Sequence, residues 1–100
     1  MAKFTKQTGG GTSFHGTTFE ATPKQLIDLF PNSFETNGDK TNYDFTLETE
    51  SGKCFTIYDW KYYRSLGMDE MVTWHVGAKD KLTSIEGSEE VKSMLNVPTI

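Results

Sequence analysis

The sequence predicts a two-layer α+β domain, in which an antiparallel sheet of three to four strands has two helices packed on one face. Two observations lead to this prediction. Several segments alternate apolar and polar residues with the period of two that strands show, and two others have the spacing and end signals of helices. With 100 residues, 35% of them apolar, the chain suits a single domain, residues 1–100, around one core.

The first strand follows a glycine-rich segment. Residues 1–12 are expected to be flexible, because three successive glycines at the end of this segment carry a large backbone entropy. Residues 13–21 then form a broken strand, with Phe14 and Phe19 as its apolar members. Gly16 inside this pattern predicts a bulge or a close backbone approach.

The first helix has a clear start and end. Thr22 suits the N-cap, Pro23 the first helical position, and Gln25 completes a capping box. The helix is expected to run to about Phe30, because Pro31 cannot continue it.

A loop and a hairpin come next. Residues 31–42 are rich in turn formers, and Asn37-Gly38 predicts a sharp turn. Residues 43–50 alternate strictly, which predicts a half-buried strand. Gly52 suits the left-handed position of a short turn, after which residues 53–60 return as the partner strand. Both faces of that partner carry apolar residues, so it is expected to be central.

The last elements are a strand and a helix. Residues 71–78 predict a strand with Trp74 on one face and His75 on the other. Residues 79–86 are expected to form a loop or a single helical turn. A final helix is expected from Ser88, since apolar residues follow at helical spacing and Pro98 closes the segment.

Composition excludes several function classes. A net charge of −4 argues against a general DNA- or RNA-binding protein, whose affinity depends on basic residues. Cys54 is the single cysteine, so it predicts neither an internal disulfide nor a cysteine-based zinc site, and its strand position suits a small core residue. No run of 18 apolar residues indicates a membrane segment. No catalytic constellation, cofactor motif or metal-ligand spacing is evident, so we expect a protein that is not an enzyme.

The stretch TIYDWKYYR, residues 56–64, is the main candidate for a binding site. Its aromatic rings could stack a base, and nearby cations could hold phosphates. A role in the core or in a subunit interface stays open, because aromatic residues dominate both. The candidates are Tyr58, Trp60 or Trp74 for stacking and Lys61, Arg64 and His75 for phosphates.

Three further residues could take part in binding or charge pairing. Thr17 lies in a hydroxyl-rich segment that could offer donors to an anion, although Ser and Thr are also ordinary strand residues. Lys40 lies in the loop before the hairpin and could touch a ligand or partner. Asp59 is expected to form a structural ion pair with Lys61, Arg64 or His75.

Several short motifs together resemble small uncharacterised proteins encoded by tailed bacteriophages. They are Gly16-Thr17, GDKTN at residues 38–42, TIYDWK at residues 56–61 and WHVG at residues 74–77. The resemblance covers roughly residues 12 to 95. It differs at Phe45, where the family pattern suggests tryptophan, and in a longer segment KYYRSLGMDEMVT.

The resemblance implies a setting, the cytoplasm of an infected bacterial host, in which a small phage protein counteracts host defence. The favoured hypothesis is a non-enzymatic protein that sequesters a nucleotide immune signal, of the cyclic dinucleotide or cyclic ADP-ribose type, without cleaving it. A homo-oligomer would then be expected, since so small a domain needs a pocket between subunits to enclose such a ligand. The alternatives are an inhibitor that binds a host defence or nucleic-acid-handling protein, and a small virion assembly protein.

Overall fold

The structure, a computed structural model, describes residues 1–36, 41–60, 62 and 64–95. Within these residues it contains one antiparallel sheet and two helices, which confirms the predicted α+β class. The sheet has more strands than the predicted three to four, because two short strands pair at its edge. The strands are β1 (Lys3–Phe4), β2 (Ser13–Ala21), β3 (Phe34–Glu35), β4 (Asp44–Glu48), β5 (Cys54–Asp59) and β6 (Val72–Ala78), and the helices are α1 (Pro23–Leu29) and α2 (Lys81–Leu95).

The strand order is β1-β4-β5-β6-β2, and β3 also pairs with β4. The three strands β4, β5 and β6 form the predicted meander with β5 in the middle, and β2 adds to the far side of β6. The short strands β1 and β3 lie end to end along the outer edge of β4. They pair with its last two and its first two residues respectively.

The N-terminal segment, residues 1–12, was predicted to be flexible, but in the structure it pairs with the sheet and packs against it. Lys3 and Phe4 pair with the edge of β4, and the segment then crosses the sheet toward β2. On the way, the Thr8 carbonyl accepts a 3.6 Å hydrogen bond from Cys54 Sγ, and Gly9 lies so close to Thr56 that a Cβ there would be 2.9 Å from its methyl carbon. Backbone pairing and close packing therefore outweigh the entropy of the glycines.

The core lies between one face of the sheet and the two helices. Alternate residues of β4, β5 and β6 face it, as the period of two predicts. Leu26 of α1 and Val91 of α2 close it from the helix side. The fully buried apolar side chains from the meander are Phe45, Leu47, Phe55, Ile57, Val72, Trp74, Val76 and Ala78.

Helix α1 confirms the predicted capping box. The Thr22 hydroxyl accepts a 3.1 Å hydrogen bond from the Gln25 amide, and the Gln25 side chain accepts one of 2.8 Å from the Thr22 amide. Pro23 occupies the first turn and Phe30 is the C-cap. These contacts between neighbouring residues define the helix start.

Helix α2 begins seven residues before the predicted start at Ser88. The Asp80 carboxylate accepts a 2.7 Å hydrogen bond from the Thr83 amide, so Asp80 caps the helix. The first half of α2 packs on the sheet through small residues, which do not produce an apolar periodicity. At Gly87 a Cβ would lie 2.7 Å from the Phe55 ring, and this close approach requires glycine.

The β4–β5 turn also follows the prediction. Gly52 has a φ of +89°, and its amide donates a 2.9 Å hydrogen bond to the Thr49 carbonyl. The predicted turn at Asn37-Gly38 and the predicted helix end at Pro98 lie outside the described residues.

Candidate functional site

The sheet face opposite the two helices, here called the open face, carries a transverse row of five side chains. The strand register places Glu35 opposite Asp44, Asp44 opposite Tyr58, Tyr58 opposite His75, and His75 opposite Thr18. Each of these side chains is at least partly exposed. The row therefore runs across five strands, from two carboxylates through two rings to a hydroxyl.

Four rings on the open face form the aromatic cluster: Phe14, Tyr58, Trp60 and His75. Phe14 stacks on His75 with ring centres 4.2 Å apart and planes 17° apart. His75 also stacks with Trp60, with ring centres 6.4 Å apart, and meets Tyr58 edge-on, with ring centres 5.6 Å apart. Phe14 is 45% exposed and Trp60 40% exposed, so the cluster presents two large apolar surfaces to solvent.

Gly77 is the cross-strand partner of Phe14 in the β2–β6 ladder. A Cβ at Gly77 would lie 2.5 Å from the Thr56 hydroxyl oxygen, so the close approach of Thr56 requires glycine at this position. The Phe14 ring stacks on His75, its diagonal neighbour on β6.

Strand β2 contains a bulge between Phe14 and Thr18. Residues 15–17 stand opposite the single residue Val76, and Gly16 has a φ of +91°. The predicted bulge at Gly16 is therefore confirmed. It directs Thr17 toward α2, where its hydroxyl lies 2.8 Å from the Ser84 hydroxyl.

A groove of about 380 Å³ lies beside the aromatic cluster. Its volume is within the range of ligand-binding clefts. One side is acidic and the other aromatic, and threonines also line the groove. The described lining residues, which include no Lys or Arg, are Thr12, Glu35, Thr41, Asp44, Thr46, Thr56, Tyr58 and Trp60.

Asp44 is the more buried carboxylate of the groove. Its side chain accepts a 2.6 Å hydrogen bond from the Thr41 hydroxyl. Burial raises the pKa of the Asp44 carboxyl, and the negative charges of Asp59 and Glu35 raise it further, against the opposite effect of the Thr41 hydroxyl. A nearby positive charge would stabilise the ionised form of Asp44.

Asp59 faces the core and anchors the chain that leads into β4. Its fully buried carboxylate accepts hydrogen bonds of 2.8 and 3.0 Å from the Asn42 amide, 2.9 Å from the Asn42 side chain and 2.8 Å from the Tyr43 amide. The structural role predicted for Asp59 is present, but its described hydrogen-bond partners are Asn42 and Tyr43 rather than Arg64 or His75, and Lys61 lies outside the described residues. The Asp59 carboxylate faces the core because odd-numbered β5 residues point away from the open face.

Two rings of the aromatic cluster have altered acidity. Burial raises the pKa of the Tyr58 phenol, and the Asp44 carboxylate raises it further. Burial also lowers the pKa of the His75 imidazole. Both changes favour the neutral side chain at neutral pH, so the cluster is an uncharged surface next to an acidic groove.

The structure brings three of the predicted stacking and phosphate residues together: Tyr58, Trp60 and His75. Trp74 is a correction, since its side chain is fully buried and cannot stack a ligand. Its indole nitrogen donates a 2.9 Å hydrogen bond to the Ala21 carbonyl, which satisfies its polar atom inside the core.

The other candidates do not join this cluster in the described part of the chain. Arg64 forms a two-pronged ion pair with Glu70, so its charge is already matched. Thr17 is a correction, because its hydroxyl bonds to helix α2 rather than facing an anion site. Lys40 and Lys61 lie outside the described residues.

Sequence reasoning missed three members of the site. Phe14 is predicted only as an apolar strand residue, because its place on the open face depends on the β2–β6 pairing. Glu35 and Asp44 are paired through β3, a two-residue strand that alternation cannot reveal. The acidic side of the groove therefore became visible only in the structure.

Comparison with protein-family models, curated proteins and solved structures yields no match. Among the described residues, no three His, Cys, Asp or Glu side chains are grouped in a way that could hold a metal ion. Neither α1 nor α2 is long and apolar enough to cross a membrane. The geometry of the open face is therefore the basis for a functional proposal.

Proposed function

We propose that this chain is a non-enzymatic binding protein that captures a partner protein on its open face. The observation that carries this proposal is the aromatic cluster, where Phe14 and Trp60 are 45% and 40% exposed on a sheet face opposite the helix layer. Exposed aromatic patches with polar borders are typical of protein-binding surfaces, and tryptophan and tyrosine are frequent binding hot spots.

Charge indicates the kind of partner. The cluster lies beside two carboxylates on a chain of net charge −4, and such surfaces steer association with basic proteins. In the phage setting that the sequence resemblance implies, the partner would be a host defence or nucleic-acid-handling protein in the cytoplasm of an infected bacterium. Inhibition would follow from covering that protein's basic surface.

The nucleotide-signal hypothesis is the second candidate. It is favoured by the stacked Trp60 and His75 rings, whose planes differ by 27° and could extend a stack to a base. The acidic lining of the groove opposes it, since Glu35 and Asp44 would repel phosphates. For this reason we place protein binding first. The described lining of the groove holds no Lys or Arg, so a sponge would draw its cations from residues outside this lining or from a second subunit.

The test compares two exposed apolar residues on opposite layers. Trp60→Ala removes a cluster ring, and Leu82→Ala is the matched control, because Leu82 is 78% exposed on α2. A partner recovered from host lysate by the wild-type protein is identified, purified and titrated by calorimetry. Trp60→Ala should weaken its affinity by about 30-fold or more, as expected for a hot spot of about 2 kcal/mol. Equal affinities for wild type and Trp60→Ala would refute binding through this face.

The nucleotide candidate has a separate readout. Thermal unfolding is measured against cyclic di- and trinucleotides, cyclic ADP-ribose isomers and mononucleotides. Saturation at 100 times the dissociation constant adds about 2.7 kcal/mol to the free energy of unfolding. A shift with one compound, abolished by Trp60→Ala and with the compound recovered intact, would favour the sponge over the protein inhibitor. A flat response would remove the second candidate.

A further inference from the structure

We propose that the groove beside the aromatic cluster binds an arginine side chain presented by the protein partner. This inference rests on the protein-binding function proposed above and names the chemistry of the contact. It follows from the arrangement of charge and rings around the groove.

The acidic side of the groove brings two like charges together. Glu35 and Asp44 are directly opposite each other in the β3–β4 ladder, where like charges destabilise a sheet. No Lys or Arg lines the described part of this groove, and the described contact of Asp44 is with the neutral Thr41 hydroxyl. A cation placed between the two carboxylates would remove their repulsion and replace it with attraction.

The other side of the groove selects the type of cation. Tyr58 and Trp60 line it with aromatic rings, and the two rings meet nearly edge-on at 5.9 Å with an angle of 75°. A planar guanidinium stacks on such rings and donates paired hydrogen bonds to a carboxylate. An ammonium group is more strongly hydrated, so it loses more solvation on binding, and it matches neither geometry as well. Arginine therefore fits this combination better than lysine.

The hydroxyl floor is consistent with the same occupant. Thr46 and Thr56 are cross-strand partners that line the groove in the row next to the Asp44–Tyr58 pair. Their hydroxyl oxygens can accept hydrogen bonds from the guanidinium donors that do not reach a carboxylate. A bound arginine would then have acceptors on two sides and aromatic surface on a third.

The experiment uses the whole protein and a small probe. N-acetyl-arginine amide is titrated into ¹⁵N-labelled protein, and the corresponding citrulline compound, which has the same shape without the charge, is the control probe. We expect the Trp60 indole and the Thr46 and Tyr58 amide signals to move with the arginine probe, with at least 5-fold weaker binding of the citrulline and lysine compounds. Equal midpoints for the arginine and citrulline probes would overturn the inference.

Variants locate the site. Glu35→Gln with Asp44→Asn should weaken binding of the arginine probe at least 5-fold. The control pair, Glu20→Gln with Asp69→Asn, removes two charges at exposed positions outside this groove and should leave the midpoint unchanged. Glu35→Gln alone changes an exposed side chain and replaces the double variant if that one does not fold. Equal weakening by both pairs would indicate general charge attraction and overturn the site.

These experiments distinguish failure of the arginine contact from failure of the proposed protein-binding function. A partner whose affinity falls with Trp60→Ala but not with Glu35→Gln would leave the protein-binding function standing and exclude the arginine contact. Specific arginine binding without any Trp60-dependent partner would confirm the groove chemistry and refute its proposed use.

Discussion

Replacing Asp59 with asparagine tests whether this buried carboxylate holds the chain that borders the groove. The carboxylate accepts from three donors, the Asn42 amide, the Asn42 side chain and the Tyr43 amide, at 2.8 to 3.0 Å. An asparagine offers one acceptor oxygen, and its NH₂ group would face donors. At least one donor would then lose its acceptor in a fully buried position.

The expected loss follows from these contacts. A hydrogen bond to a charged group contributes about 1.5–3 kcal/mol, and a buried donor left without an acceptor costs about 1–3 kcal/mol. Removing the buried charge gives back part of this through its desolvation energy. We therefore expect the free energy of unfolding to fall by about 2–4 kcal/mol, which lowers the unfolding midpoint of a domain of this size by about 10–30 °C.

Denaturant and thermal unfolding followed by circular dichroism measure this loss. Asp44→Asn is the matched control, because it makes the same chemical change in a half-buried side chain whose described hydrogen bond is to the Thr41 hydroxyl. Its effect should stay below about 1 kcal/mol. If Asp59→Asn unfolds within about 0.5 kcal/mol of the wild type with an unchanged denaturant slope, the anchoring role is refuted.

Three other predictions follow from the described contacts. Gly87→Ala places a methyl group against Phe55, and this clash should lower the free energy of unfolding by about 1–3 kcal/mol. The higher helix propensity of alanine should offset about 1 kcal/mol of that loss. Phe55→Leu should then destabilise the Gly87→Ala variant less than the wild type, and equal destabilisation of both proteins would contradict the clash. Because burial lowers the pKa of His75 below 6.5, the unfolded chain takes up the proton first, so stability should be complete above about pH 6.5 and decline below it. His75→Gln should reduce that decline, and an identical pH profile would refute the assignment. Hydrogen bonding from Arg64 lowers the pKa of Glu70 to about 2, so Arg64→Gln should raise the Glu70 midpoint in a ¹³C NMR titration, and an unmoved midpoint would exclude the ion pair.

Local signals predicted the elements whose ends are fixed by their own residues. The capping box of α1 and the left-handed Gly52 turn need only neighbouring residues, and both were found from the sequence. The start of α2 was missed because its buried face uses Ser84, Gly87 and Ser88, which pack closely without being apolar. Gly87 must be small because it packs against Phe55 of strand β5, and the sequence around Gly87 does not indicate this contact.

The candidate site was predictable only where alternation along one strand was sufficient. Tyr58 and His75 were placed on matching strand faces from the period of two, and the register pairs them. The acidic side of the groove depends on the two-residue strand β3, and the position of Phe14 depends on the bulge in β2. Both features are set by pairing with strands distant in the sequence, so alternation along one strand does not reveal them. Trp74 was wrong as a ligand residue because the core takes large aromatic side chains as readily as a binding surface does.

The alternation of Trp74 and His75 along β6 has a consequence for how this protein can evolve. Adjacent codons specify the helix-covered layer and the open face, so substitutions at Thr18, Thr46 or Tyr58 would change the proposed binding surface without disturbing interior packing. Selection for a new binding partner can therefore proceed at every second position of the sheet while the intervening positions remain under constraint for foldability. A protein in conflict with a changing opponent would gain from such separation, since mutational escape and structural integrity are encoded at different sites.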